Sequence, residues 1–265
     1  MRLTNLQHVP TVLQLLAMHP DFATRDLSSL QLVAWGGAAL PVEFVELYHR
    51  LGVRLFTIYG MTETCGNATF SAPDDSVDQL AHSVGRPNPD ADVIVADDDG
   101  NEVPLGEEGE VWYRHEAKLL YYLNNPEATA RTLTADGYLR TGDIAVRLPS
   151  GHLRLVGRKS EMFKSGGLNV YPREIELVLE SHPSVAIAAV VGVKDPVYAE
   201  VGAAFIVCEP GCSVDSDQLT TWCKDSLAGY KVPKSFHVRG ELPLLPIGKI
   251  DKQALRKEVE EHRGG

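Results

Sequence analysis

The sequence predicts an α/β protein in three parts: a parallel α/β subdomain over residues 1–78, a small β-barrel-like subdomain over residues 79–156, and a C-terminal α+β cap domain after it. Two observations predict this order. Near the start, buried strands alternate with an amphipathic helix, as they do in parallel sheets. Further on, short strands are separated by Gly, Asp and Pro turns before longer helices return.

Four segments define the first part. Residues 9–19 (VPTVLQLLAMH) have the apolar spacing of a helix, and residues 30–35 (LQLVAW) are typical of a buried strand. Residues 41–52 predict a helix bounded by a proline and a glycine, and residues 53–58 (VRLFTI) predict a second buried strand. Strand, helix and strand in this order predict a parallel βαβ unit.

Two polar loops follow these strands. GGA (36–38) comes after the first strand and YGMTE (59–63) after the second. Ligand sites of parallel sheets lie beyond the carboxyl ends of the strands. We therefore expect the two loops to lie beside each other at one edge of the sheet.

The middle part is rich in turns. The strands ADVIVA and GEVWYR are joined by the connector DDDGNEVPLGEEG (97–109), and GYLRTGDIA (137–145) and GHLRLVGRKSE (151–161) continue the pattern. Short strands of this kind predict a small antiparallel sheet or a barrel.

The last part predicts a separate α+β domain of about 100 residues, a normal domain size. Its helices are YPREIELVLESHP, DSDQLTTWCKDSLAG and DKQALRKEVEEHR, and its main strands are VAIAAVVGV and VGAAFIVC.

Composition excludes some functions. The net charge is −11, which disfavours a nucleic-acid surface because phosphate binding needs a basic stripe. No apolar run approaches the roughly 18 residues that a membrane-spanning helix needs. The four cysteines are isolated in apolar surroundings rather than spaced as metal ligands, and this favours a reducing, cytoplasmic compartment.

Neither a GxxxxGK[ST] loop nor a GxGxxG fingerprint is present. Instead, five segments in order resemble the adenylate-forming superfamily of acyl- and aryl-CoA synthetases, firefly luciferase and peptide-synthetase adenylation domains. The resemblance covers nearly the whole chain, as the C-terminal half of such an enzyme, and looks most like bacterial fatty-acid CoA ligases. The segments are WGGAALP (35–41), YGMTE (59–63), YLRTGDI (138–144), GRKSEMFKSGGLNVYPREIE (157–176) and PIGKIDK (246–252).

The resemblance implies a nucleotide site for ATP and AMP. The Thr62 hydroxyl would contact a phosphate oxygen, and Glu63 would hold Mg²⁺, which prefers carboxylate and phosphate oxygens. Asp143 and Arg158 would contact the ribose, and Tyr59 would stack on the base. Taken singly, each of these residues has a simpler structural interpretation as a turn, cap or surface residue. The residues implied to line the nucleotide are Gly36, Gly37, Ala38, Tyr59, Gly60, Met61, Asp143 and Arg158.

The resemblance also implies a two-step reaction that uses two lysines. Lys249 would serve formation of acyl-AMP, while Lys164 with Gly166 and Gly167 would serve transfer of the acyl group to CoA. These last three residues are expected on a loop in which SGG gives a flexible backbone edge. The cap domain (162–265) would rotate between the steps about a hinge at 157–161. Ser160 occupies the hinge position, where the family usually has Asp or Lys.

The substrate is expected to be a monocarboxylic acid, fatty or aromatic. The residues implied to line the acyl pocket are mostly apolar and include no lysine or arginine to pair a second carboxylate. The pocket would involve His8, Val9, Trp35, Cys65 and Gly66 together with Gly60 and Met61.

The family's phosphate-binding loop lies well upstream of GGA, whereas only 35 residues precede Gly36 here. We therefore expect weak or absent ATP-driven activity from the chain alone, and a missing N-terminal half as a possible partner. Two alternatives stay open. One is an adenylation module that loads a carrier protein. The other is a non-catalytic fold that binds AMP or a partner.

Overall fold

The computed structural model describes residues 2–245 and 250–263. Internal contacts divide the chain into two compact units, Met1–Leu155 and Val156–Gly265. In the part of the chain that the structure describes, no helix is both long enough and apolar enough to cross a membrane.

The first unit begins with a five-stranded sheet in the order β1-β2-β3-β4-β5. Strands β1, β2 and β3 are parallel, with helix α2 between β2 and β3, so the predicted βαβ unit is confirmed. Strand β4 pairs antiparallel with β3, and β5 pairs antiparallel with β4. The strands are β1 Asn5–His8, β2 Leu32–Gly36, β3 Arg54–Met61, β4 Gly66–Phe70 and β5 Arg86–Pro87; the helices are α1 Pro10–Met18, α2 Val42–Arg50 and α3 Val77–His82.

Alternation along β2 explains how the helices pack. Val33 and Trp35 point to one face, where they meet Leu13 of α1 and Val45 and Tyr48 of α2, and all five side chains are at most 1% exposed. The Tyr48 hydroxyl donates to the Leu13 carbonyl at 2.7 Å, so the buried phenol keeps a hydrogen-bond partner.

The second sheet of this unit has the order β6-β7-β8-β9, with β7 antiparallel to both β6 and β8. Of the two predicted forms, sheet or barrel, the described strands form a four-stranded sheet. Helix α4, which the sequence interpretation did not include, lies between β7 and β8. The elements are β6 Asp92–Ala96, β7 Glu108–Arg114, α4 Pro126–Thr132, β8 Leu139–Arg147 and β9 Leu153–Arg158.

The predicted division at residue 78 needs correction, because it falls inside α3. Strand β5 still pairs with β4 of the first sheet. The backbone amide of Leu153 donates to the Gly85 carbonyl at 2.8 Å, and the Val84 amide donates back to the Leu153 carbonyl at 2.8 Å. These bonds join the two sheets into one unit.

The second unit is the predicted α+β domain. Its sheet has the order β11-β10-β13-β12, with β14 parallel to β13. Helices α5 and α6 cover one face through Ile175, Leu179, Leu219 and Cys223, and helix α7 covers the other through Leu255 and Val259. The elements are β10 Phe163–Ser165, β11 Leu168–Val170, α5 Pro172–Glu180, β12 Val185–Asp195, β13 Ala199–Cys208, α6 Ser216–Ser226, β14 Ser235–Arg239 and α7 Lys252–Arg263.

The segment expected to be a flexible loop near Lys164 is a hairpin instead. Strands β10 and β11 are antiparallel, with Ser165 opposite Leu168. Gly166 and Gly167 form the two-residue turn at φ +58° and +86°. Positive φ at both central residues is what a type I′ hairpin turn requires, so the glycines fix this turn rather than loosen it.

Candidate active site at the sheet edge

Three parallel strands end at one edge of the first sheet. His8 ends β1, Gly36 ends β2 and Met61 ends β3. Gly36 lies opposite Ile58 of β3 in register. The predicted GGA and YGMTE segments are therefore neighbours at the carboxyl edge, the part of a parallel sheet where ligand sites form.

Two glycines allow the close approach of chains at this edge. A Cβ on Gly36 would lie 2.7 Å from Ile58 Cγ1, and a Cβ on Gly60 would lie 2.1 Å from the Gly66 carbonyl oxygen. No side chain fits at Gly60 unless the backbone of β4 moves.

The turn after β3 is held by a residue that the sequence interpretation missed. The Thr64 hydroxyl accepts a hydrogen bond from the Met61 amide at 3.0 Å and lies 2.7 Å from the Gly66 carbonyl oxygen. Cys65 follows with φ 52°, in the left-handed region. The turn therefore exposes Thr62 while fixing the backbone around Glu63.

Tyr59 joins this edge to the second sheet. Its hydroxyl donates to Asp143 Oδ2 at 2.7 Å, although the two residues are 84 positions apart. The side chains are 8% and 6% exposed, and the Tyr59 ring packs in a core with Ala68, Val93 and Val111. The Tyr59 ring therefore has core neighbours and its hydroxyl has a carboxylate partner, and the stacking of its remaining exposed surface on a base stays a prediction.

Asp143 is presented by a bulge in β8. Between Ile144 and Arg140, strand β8 has three residues where β7 has one, and Gly142 has φ +73°. A bulge of this kind turns a side chain away from the regular alternation.

Two neighbouring side chains fix that bulge. The Gly142 amide donates to Glu110 Oε1 at 2.9 Å, and the Asp143 amide donates to the Thr141 hydroxyl at 3.1 Å. Glu110 is 6% exposed. The sequence contained one signal for it, a carboxylate beside the apolar run VWY of the predicted strand GEVWYR.

Glu63 is held from two sides by the segment before α4. The Tyr122 hydroxyl donates to Glu63 Oε1 at 2.8 Å, and the Leu119 amide donates to the Glu63 carbonyl at 2.7 Å. Burial, followed by the hydrogen bond to Glu63, raises the pKa of Tyr122 above its ordinary value, so the phenol keeps the proton that it donates. No local pattern predicted Tyr122, because the contact joins residues 59 positions apart.

The residues assigned to an acyl pocket divide into two groups. His8, Val9, Cys65 and Gly66 are exposed at or near the carboxyl edge. Trp35 is 1% exposed and belongs to the core between β2, α1 and α2, so its assignment to the pocket is corrected.

The remaining predicted residues belong to the second unit. Arg158 ends β9, and its carbonyl accepts from the amides of Glu161 and Met162, which closes the turn that contains Ser160. Lys164 is exposed on β10 opposite Asn169, next to the turn at Gly166 and Gly167. Lys249 lies outside the described residues.

A cleft of about 510 Å³ in the first unit is lined by none of these residues. Asp90, Asp92, Arg114, His115 and Lys118 are among the side chains that form its wall. Two of the cleft's charged side chains, Arg114 and Asp92, already pair with each other.

The chemistry of Glu63 fits a magnesium ion held together with a phosphate. Magnesium is usually bound through one or two carboxylates plus substrate phosphates rather than in an all-protein cage. Among the residues that the structure describes, no group of three or more His, Cys, Asp or Glu side chains is arranged to hold a metal. The single carboxylate of Glu63 at the sheet edge is consistent with a magnesium ion that binds together with the phosphates of a substrate.

Two family models match parts of the chain. The family model described as AMP-binding enzyme matches residues 1–123, and the model described as AMP-binding enzyme C-terminal domain matches residues 174–249.

Curated relatives extend the match to nearly the whole chain. A feruloyl-CoA synthase from Amycolatopsis sp is 39% identical over 262 residues, which is 97% of this chain and 52% of the relative. A long-chain-fatty-acid–CoA ligase from Yersinia pestis is 40% identical over 256 residues, which is 96% of this chain and 45% of the relative.

A solved structure of o-succinylbenzoate CoA synthetase from Bacillus subtilis, in complex with its acyl-adenylate intermediate, superposes with a TM-score of 0.85 at 32% identity. The alignment covers 97% of this chain and 51% of that one. The chain spans about half the length of the relatives that it matches. It belongs to the AMP-binding enzymes, the adenylate-forming family that includes the acyl-CoA ligases.

Proposed function

We propose that this chain carries the C-terminal half of an ATP-dependent acid–thiol ligase, which joins a monocarboxylic acid to CoA through an acyl-AMP intermediate. The observation that carries the proposal is the buried hydrogen bond from Tyr59 to Asp143, which holds a carboxylate beside the YGMTE segment. A carboxylate is an acceptor-only group and suits the paired hydroxyls of a ribose.

In the first step a carboxylate oxygen of the substrate attacks the α-phosphorus of ATP, and the bond to pyrophosphate breaks. Negative charge builds on the phosphoryl oxygens, and Lys249 would offset it. Glu63 would hold Mg²⁺, and Thr62 would donate to a phosphate oxygen. When bound, the metal ion supplies positive charge to the same oxygens.

In the second step the CoA sulfur attacks the acyl carbon, and the bond to AMP breaks. Lys164, exposed beside the glycine turn, would serve this step, with Gly166 and Gly167 forming a narrow backbone edge for the thiol arm of CoA. Because each lysine serves a different step, the second unit would rotate about residues 157–161 between the steps.

The acid is proposed to be fatty or aromatic. Val9 is 49% exposed, and Cys65 and Gly66 are exposed near the same sheet edge, without a basic residue among them. The names of the relatives, a feruloyl-CoA synthase and a long-chain-fatty-acid–CoA ligase, agree with an acid of this class.

A complementary N-terminal half is proposed as the partner. Among the described strands, β1 pairs with β2 alone and forms an edge of its sheet, and exposed apolar residues precede and follow it in the sequence. Leu3 is 57% exposed, Leu15 64% and Met18 70%. An open strand edge and exposed apolar side chains are both features that can bind another polypeptide. We expect weak ATP-driven turnover without that half.

All four cysteines are free thiols, which agrees with a reducing cytoplasm.

The test mixes this chain with the first half of the Amycolatopsis feruloyl-CoA synthase and measures two reactions with ferulate. Carboxylate-dependent exchange of pyrophosphate into ATP reports the first step, and formation of the CoA thioester reports the second. We expect Lys249→Ala to abolish exchange. Lys164→Ala should preserve exchange while reducing thioester formation. Lys224→Ala, on the exposed face of α6, is the matched control and should change neither.

If exchange is present but free CoA is not an acceptor, a carrier protein takes its place as the proposed acceptor. If the mixture binds AMP without either reaction, the non-catalytic alternative is favoured.

A further inference from the structure

We propose that Tyr122 is a positioning residue for Glu63. The inference rests on the proposed function of Glu63 as the metal-binding carboxylate and assigns the residue that orients it. The contact is direct, from the Tyr122 hydroxyl to Glu63 Oε1 at 2.8 Å.

The backbone on either side of Glu63 is anchored independently of this contact. The Leu119 amide donates to the Glu63 carbonyl at 2.7 Å. The phenol therefore acts on the carboxylate itself, while Leu119 fixes the main chain that carries it. Together they leave the Glu63 side chain little rotational freedom, and ordering a glutamate side chain in advance reduces the entropy lost when it binds a ligand.

Tyr122 is itself held by the start of α4. Its amide donates to the Thr129 hydroxyl at 2.9 Å, and its carbonyl accepts from the Asn125 amide at 3.1 Å. Asn125 caps the helix by accepting from the Ala128 amide at 3.0 Å. The phenol thus extends from a short segment whose backbone is fixed by a helix N-terminus.

The neighbouring side chains show that this placement is selective. Leu120 is 77% exposed, Tyr121 62% and Leu123 79%, whereas Leu119 and Tyr122 are half-buried against the YGMTE turn. An apolar segment that packed only for burial would not leave three of its five side chains in solvent. The pair that turns inward is the pair that contacts Glu63.

Two measurements on the 265-residue chain test the proposal. The first is a double-mutant cycle of stability with Tyr122→Phe, Glu63→Ala and the double variant, by urea unfolding. Direct contact predicts a coupling factor of about fivefold to tenfold in the unfolding equilibrium constant. Tyr121→Phe is the matched control and should show no coupling to Glu63→Ala.

The second measurement is the affinity for Mn²⁺, used as a paramagnetic probe in the presence of AMP, by water-proton relaxation. We expect Tyr122→Phe to weaken Mn²⁺ binding about tenfold. In the Glu63→Ala background the same substitution should have no further effect, because its action passes through Glu63. A merely structural tyrosine would weaken binding equally in both backgrounds.

The outcomes separate the two ideas. An absence of coupling in the stability cycle overturns the positioning role. So does an unchanged Mn²⁺ affinity in Tyr122→Phe when Glu63→Ala weakens Mn²⁺ binding. If the stability cycle shows coupling but Glu63→Ala does not change the affinity for Mn²⁺, the contact between Tyr122 and Glu63 is supported. The proposed metal-binding role of Glu63 is then contradicted.

Discussion

The hydroxyl of Tyr59 and the carboxylate of Asp143 form a buried hydrogen bond of 2.7 Å that links β3 of the first sheet to β8 of the second. Tyr59→Phe removes only the hydroxyl and leaves the nearly buried carboxylate without this donor. We expect the free energy of unfolding to fall by about 1–3 kcal/mol, the cost of removing one partner from a buried polar group. We also expect AMP to bind about fivefold more weakly, because Asp143 loses its fixed orientation.

Tyr48→Phe is the matched control for this prediction. Tyr48 is fully buried, and its hydroxyl also donates at 2.7 Å, but to the Leu13 carbonyl in the core beside α1. Both variants should lower stability in urea titrations, and only Tyr59→Phe should weaken AMP binding by calorimetry. Equal AMP affinity in both variants would remove Tyr59 from the proposed site.

Gly60 should be intolerant of any side chain. A Cβ there would lie 2.1 Å from the Gly66 carbonyl oxygen, so Gly60→Ala forces β3 and β4 apart. We expect a loss of about 3 kcal/mol or more in the free energy of unfolding. Gly106→Ala provides the comparison, since Gly106 has φ +89° but open space around it, and backbone strain alone costs about 1–2 kcal/mol. The prediction fails if the two substitutions cost the same.

Stability should decline at alkaline pH because of two buried tyrosines. Burial raises the pKa of Tyr48 from 10.0 to about 12, and burial followed by the hydrogen bond to Asp92 raises the pKa of Tyr138 to about 12. The folded chain keeps these protons where the unfolded chain has released them. The contribution of the two protonated tyrosines to the free energy of unfolding is complete below pH 10.0 and is lost as the pH rises through about 12.

The free energy of unfolding should fall between about pH 9 and pH 12, the range that these two pKa values set. The slope should be shallower in Tyr48→Phe, which has no phenol to titrate. Tyr121→Phe changes a tyrosine that is 62% exposed and should leave the slope as it is in the unmodified chain. A steeper or unchanged slope in Tyr48→Phe is the contrary result.

An ion pair between Lys252 and Glu176 is expected to stabilise the second unit. Lys252 Nζ lies 2.8 Å from Glu176 Oε1 and also contacts Glu161. Burial alone would lower the pKa of Lys252, but Glu176 and Glu161 outweigh it and raise the pKa. The Glu176 side chain is 5% exposed, so removing the lysine leaves a buried carboxylate short of a partner.

We expect Lys252→Met to lower the free energy of unfolding by about 2–3 kcal/mol, near the lower end for a broken buried pair. Glu176 keeps two contacts, Arg173 Nη1 at 3.5 Å and the Val190 amide, which donates to it at 3.0 Å. Adding Glu176→Gln should restore part of the loss. Lys257→Met breaks an exposed pair with Glu261 and should change stability by less than about 0.5 kcal/mol. Urea unfolding measures all three, and a similar loss in the two single lysine variants would argue against the buried pair.

Helices and strands were predicted well where residues close together in the sequence determine them. The helix predicted at 41–52 is found at Val42–Arg50, and the strand predicted at 30–35 is found at Leu32–Gly36. Helix α6 follows the capping box of Asp215 and Gln218, a signal contained in four residues.

Contacts between distant residues could not be predicted in the same way. The hydrogen bond from Tyr59 to Asp143 joins residues 84 positions apart on two different sheets, and no local pattern in the sequence predicted it. Trp35 was expected in a pocket, yet the alternation of β2 turns it toward α1 and α2. At Gly166 and Gly167 the paired glycines were interpreted as flexibility, whereas in register between two strands they fix a turn.

Asp143 is proposed to bind the ribose of an adenylate. The most direct test is calorimetric binding of a non-hydrolysable feruloyl-adenylate sulfamate to the chain, together with its 2′,3′-dideoxy form and the Asp143→Asn variant. We predict that the unmodified chain binds the ribose form at least about tenfold more tightly than the dideoxy form, and that Asp143→Asn loses this preference. Equal binding of the two forms by the unmodified chain, or an undiminished preference in Asp143→Asn, would contradict the claim.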